Sequence, residues 1–93
     1  MVIGLCQLEF NIPMSNSLKY KRRLIKSLKA QIRKKYNVSI AEISKNDTHK
    51  TAVLAVVAVA NQQSYLNSIF DKIINFSLGL KDMQLIKDNI EFF

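Results

Sequence analysis

Apolar and polar residues alternate from the first residues of the chain. Val2, Cys6, Leu8, Phe10 and Ile12 fall on one face of an extended segment, and Gln7, Glu9 and Asn11 on the other. Ile3 and Leu5 make the start of that second face apolar as well. Pro13 should end the strand, because its ring removes a ladder donor. Met14-Ser15-Asn16-Ser17 then offers several helix N-caps. From Leu18 to Tyr36 the period lengthens to about 3.6 residues. Leu18, Leu24, Ile25, Leu28, Ile32 and Tyr36 gather on one arc, which predicts a long amphipathic helix. Asn37, which can take the left-handed conformation, is expected to stop it.

Val38 to Ser44 reads as a second strand and Lys45-Asn46-Asp47 as the turn after it. Thr51 to Ala60 is apolar on both faces, as an interior strand should be. A buried helix would also accommodate such a run, but its valines and polar flanking turns favour a strand. Asn61 is expected to cap a second helix with Leu66, Ile69, Phe70, Ile73 and Ile74 inward, and Gly79 to stand at its C′ position. Met83 to Phe93 closes as a last strand, with Ile86, Ile90 and Phe92 at alternate positions. The order β-α-β-β-α-β predicts an α+β fold, the ferredoxin-like sandwich. It has a four-stranded antiparallel sheet, first and third strands central, and two helices on one face. A length of 93 residues suits a single domain over 1–93. That fold carries many unrelated functions, so function has to be read from residues.

The charge is unevenly placed. Lys19 to Lys35 holds nine of the 14 basic residues (Lys19, Lys21, Arg22, Arg23, Lys26, Lys29, Arg33, Lys34, Lys35), and no acid occurs between Glu9 and Glu42. The rest of the chain carries five basic residues against seven acids, so the net +7 is one cationic helix on a slightly acidic body. Lys19, Arg22, Arg23, Lys26, Arg33 and Lys34 project away from the apolar arc, and Lys29 lies at its border. A solvated face that binds nothing usually mixes signs at i,i+4, whereas this one sets like charges at that spacing. A polyanion, RNA or a ribosomal particle, is therefore the expected partner. Arg22, Arg23, Lys26, Arg33 and Lys34 would meet phosphates, with Lys19 and Lys29 at the margins. An acidic protein or an anionic lipid surface is the remaining alternative. Lys21 falls inside the apolar arc. It reads either as a snorkelling stem with its ammonium at the helix edge, paired to Glu9 or Glu42, or as a ligand contact at the sheet–helix edge.

Sheets of this topology that recognise RNA stack bases on aromatics of the third strand, and Thr51 to Ala60 has none. An uncovered apolar sheet face suggests instead a homodimer or another partner. A dimeric structural module with no nucleic-acid role is thus the rival reading. One cysteine, one histidine and two glycines exclude a disulfide scaffold, a CxxC site, a zinc knuckle and a Gly-rich phosphate loop. Cys6 is expected as a core thiol and His49 as an exposed turn residue. No catalytic residue, cofactor, metal or small-molecule substrate is expected, and the chain reads as non-enzymatic. The longest apolar run, Ala52 to Ala60, falls short of the roughly 20 residues that span a membrane. With no basic n-region ahead of the first apolar stretch and a lone thiol, a cytoplasmic setting is expected.

Several collinear segments resemble the YlxP-like family, small bacterial proteins of unknown function. They are Met1-Val2-Ile3-Gly4, Ser17-Leu18-Lys19-x-Lys21-Arg22-Arg23, Tyr36-Asn37-Val38-Ser39-Ile40-Ala41-Glu42, Asp47-Thr48 and Asn61. The resemblance implies a ferredoxin-like fold and a gene neighbourhood often shared with ribosome-maturation factors such as ribosome-binding factor A. It brings no activity, cofactor or catalytic residue. Members often have Glu where this chain has Tyr20, which would complete a capping box with the N-cap serine. Members also often continue Trp-Gln-Arg after Asp-Thr, where this chain has His49-Lys50-Thr51.

Overall fold

The computed structural model describes all residues from Met1 to Phe93. The elements follow the order β1 (Val2–Asn11), α1 (Leu18–Lys35), β2 (Ser39–Ser44), β3 (Thr51–Ala60), α2 (Gln63–Leu78) and β4 (Gln84–Phe92). The strands form one antiparallel sheet in the order β2-β3-β1-β4, so β1 and β3 are central, as the ferredoxin-like pattern predicts. Cys6 pairs with Val56 on one side and Ile90 on the other. In this register the even-numbered residues of β1 and β3 all face the helices. Cys6, Leu8, Phe10, Leu54 and Val56 are fully buried there, against Ile25, Leu28 and Ile32 of α1 and Leu66, Phe70 and Ile73 of α2. Gly4 leaves room for α2 to lie close. A Cβ at that position would stand 2.7 Å from the Phe70 ring.

The element ends depart from expectation in three places. Asn37 does not stop α1 in the left-handed conformation. Tyr36 leaves the helix already extended, at φ −132°, and leads straight toward β2. Asn61 lies one residue too early to cap α2, whose N-cap position is Gln62 with no side-chain hydrogen bond. Gly79 ends α2 in a right-handed conformation, because the last turn tightens and its N–H reaches the Phe76 carbonyl at 3.2 Å. In β4 the alternation also breaks. Glu9 pairs with Lys87 but Phe10 pairs with Leu85, so Ile86 is an extra residue in a bulge. Leu85, Ile90 and Phe92 turn inward while Ile86 is half exposed, so Ile86 does not share a face with Ile90 and Phe92 as simple alternation predicts.

The larger correction concerns Lys21. Its side chain does not snorkel to water but is wholly buried beneath the β2–β3 loop. Nζ donates to the carbonyls of Lys45 at 2.8 Å, Thr48 at 2.6 Å and Thr51 at 3.1 Å, and lies 2.7 Å from Glu42 Oε2. An ammonium has three protons, and the three carbonyls take them. Glu42 Oε2 is therefore held by charge alone, without an aligned hydrogen bond. Glu42 reaches this point because it shares the inner face of β2 with Ile40. Glu9 occupies an odd position of β1 and belongs to the uncovered face. Lys45 turns the loop at φ +60°, and Thr48 Oγ1 donates to its carbonyl at 3.0 Å. Lys50 Nζ then ties the loop to the carbonyls of Pro13 and Ser15, at 2.9 and 3.0 Å. With every Nζ proton engaged inside the protein, Lys21 is no ligand contact.

Stripping one partner from a buried ion pair costs about 3–5 kcal/mol, because the other charge is left uncompensated. Lys21→Met is expected to lower the unfolding free energy by that amount in urea denaturation. Adding Glu42→Leu to it should recover part of the loss.

Candidate nucleic-acid interface

Ser17 starts α1, its Oγ accepting the Tyr20 N–H at 3.1 Å. Half of a capping box is thus present, and Tyr20 cannot supply the returning bond. No acid stands in the first turn, while Arg33, Lys34 and Lys35 occupy the last. There they complement the negative end of the helix dipole.

The cations do not surround the helix evenly. At about 100° per residue, Arg22, Lys26, Lys29 and Arg33 fall within an arc of roughly 60° on the flank beside β2. Arg23 and Lys34 stand on the outer crest, and Lys19 lies between the two groups. The far flank carries Tyr20, Leu24 and Gln31, with Lys35 as its one charge. Lys19, Arg22, Arg23, Lys26, Arg33 and Lys34 are exposed, and Lys29 is half-buried. Lys29, expected at the margin, thus belongs to the flank stripe.

That stripe forms one wall of a groove of about 540 Å³ between α1 and the edge of the sheet. Arg22, Lys26, Lys29 and Arg33 line it together with Ile25, Ala30 and Glu42. Arg33 crosses its end, Nη2 donating to the Ile40 carbonyl at 3.0 Å, a carbonyl that the sheet edge leaves free. Glu42 is the sole acid of the groove, and its charge is answered from below by Lys21. Lys21–Glu42 is the only ion pair of the molecule, so no carboxylate lies within 4.0 Å of any other cation on α1. Two of these cations find aromatic rings instead: Arg23 lies 5.3 Å from the Tyr20 ring centre and Lys35 5.3 Å from that of Phe76.

Cys6 is a core thiol, and burial, aided by the carboxylates of Asp88 and Asp71, pushes its pKa up to about 12. It is no nucleophile near neutral pH. His49 is not the solvent-exposed turn residue expected. It is half-buried, with Nδ1 3.1 Å from the Ser15 carbonyl, because the loop folds back on the entry to α1. No three His, Cys, Asp or Glu side chains converge as a metal centre would need. No helix is long and apolar enough to cross a membrane. On the uncovered side of the sheet, Met1, Ile3, Val38, Val57 and Val59 line a shallow apolar concavity of about 500 Å³.

The comparisons with known proteins give a family and no chemistry. A family model described as "Protein of unknown function (DUF503)" matches residues 3–90. An uncharacterized protein of Bacillus subtilis (strain 168), YlxP, is 26% identical over 92 residues, which cover 99% of this chain and all of that protein. The resemblance drawn from the sequence motifs is borne out.

Proposed function

The chain belongs to the DUF503 family of proteins of unknown function, and on that footing we propose that it is a non-enzymatic factor that contacts RNA or a ribosomal particle through α1. The observation that carries this reading is the absence of any carboxylate partner along α1 outside the buried Lys21. Side chains of one sign held together in water cost a little helix stability. On binding they displace the cations condensed on a polyanion, and that release favours association. Phosphate contacts of this kind position a nucleic acid without reading its sequence. The gene neighbourhood that the family resemblance implies points the same way, toward ribosome maturation in the cytoplasm. If about five phosphates are engaged, the logarithm of the RNA association constant should fall with log salt at a slope of about −3.5 to −4.5. Fluorescence anisotropy with a labelled RNA across a salt series measures it, and a flat response would remove the reading.

The apolar end of the open sheet supports a second reading, a homodimer. Met1, Ile3, Val57 and Val59 are exposed there with no charged side chain among the residues lining the concavity. A two-fold contact would place the same apolar side chains of a second copy against it. This face is distinct from α1, so the two readings can hold together. Light scattering should then give the mass of two chains, and Val57→Lys/Val59→Lys the mass of one. A monomer at the highest workable concentration would rule the dimer out.

A further inference from the structure

We propose that the groove between α1 and β2, and not the outer crest of the helix, is the phosphate-binding site, and that it takes the backbone of one nucleic-acid strand. This rests on the RNA reading of α1 and says where on the helix it acts.

Three observations converge on the groove. Arg22, Lys26, Lys29 and Arg33 recur at steps of four, three and four residues, so they form one row about 16 Å long at the 1.5 Å helix rise. A row of single charges stepping about 4.5–6 Å along the helix is suited to successive phosphates of one strand, where a compact cluster would suit a single phosphate. The groove's one carboxylate is cancelled within the protein, since Lys21 reaches Glu42 from the buried side at 2.7 Å. Four positive charges therefore face the cavity with none opposed. Its remaining lining is Ile25 and Ala30, small or apolar and offering no ring for a base to stack on. The grip is on the backbone, with the bases turned outward, and it carries no sequence preference of its own. The crest cations Arg23 and Lys34 have no facing wall. They raise the local concentration of the polyanion by field alone.

Two matched variants separate the groove from the crest. Arg22→Ala/Lys26→Ala and Arg23→Ala/Lys34→Ala each lower the net charge from +7 to +5, each at exposed helix positions where alanine favours the helix. The probe is a fluorescein-labelled oligouridylate, with an RNA duplex of equal length as a second arm. Loss of two phosphate contacts should make the salt slope shallower by about 1.4 for the groove variant on the single strand. The crest variant should lose less slope than the groove variant, because it gives up only a long-range attraction that salt already screens. The arm in which the groove variant changes the slope shows whether the strand is taken free or within a duplex. A crest variant that loses slope while the groove variant keeps it overturns the groove and leaves the RNA reading standing. Native protein with no salt-dependent binding to either probe overturns the RNA reading itself. Circular dichroism of both variants confirms that the helix is retained.

Discussion

The ammonium of Lys21 is the constraint around which the charge of this protein is arranged. Burying it would cost several kcal/mol were its surroundings apolar. Four oxygens offset that cost: the loop carbonyls of Lys45 and Thr48, the carbonyl of Thr51 at the start of β3, and the Glu42 carboxylate. Two consequences follow. The β2–β3 loop, which has no regular structure of its own, is fastened to the start of α1. Glu42, which would otherwise place a negative charge in the groove beside α1, is neutralised from within. The cations of the groove are left to face solvent unopposed because another cation of the same helix is hidden behind the one acid that could have paired with them.

The molecule thus presents two unlike surfaces. One is a charged rod whose basic residues concentrate on the flank next to β2. The other is the uncovered sheet, apolar at the end built from Met1, Ile3, Val57 and Val59 and polar toward Gln7, Glu9 and Asn11. A backbone-directed contact at α1 would supply affinity and salt dependence but little discrimination. Selectivity for one RNA would have to come from RNA shape or from a partner on the second surface. No aromatic residue stands on β3, so the sheet is not a stacking platform of the kind that RNA-recognition sheets use.

Much of this was legible in the residues. Alternation located β1 and β3, the change to a 3.6 period located α1, and the element order dictated which strands are central. The cationic run was plain because no acid interrupts it. What resisted reading was set by tertiary geometry. The bulge at Ile86 shifts the inward phase of β4, and nothing in Gln84 to Phe92 announces it. The exits of α1 and α2 avoid the left-handed conformation because the chain has other ways to satisfy its last carbonyls. Lys21 was marked by its place in the apolar arc, and Glu42 by sharing the inner face of β2 with Ile40. The carbonyl cage was not legible, since it depends on a loop turned at Lys45. The asymmetry of the stripe could have been read from the helical wheel alone. Its meaning depends on β2 lying beside that flank, which only the packed structure shows.

The most direct test is where RNA touches the protein. Amide chemical-shift mapping of isotope-labelled protein, titrated with a short oligouridylate, reports this residue by residue. The largest shifts are expected at Arg22, Lys26, Lys29, Ala30 and Arg33 and across the groove at Ile40 and Glu42. Shifts centred on Gln7, Val53 and Ala55 of the open sheet, or none on α1, would contradict it.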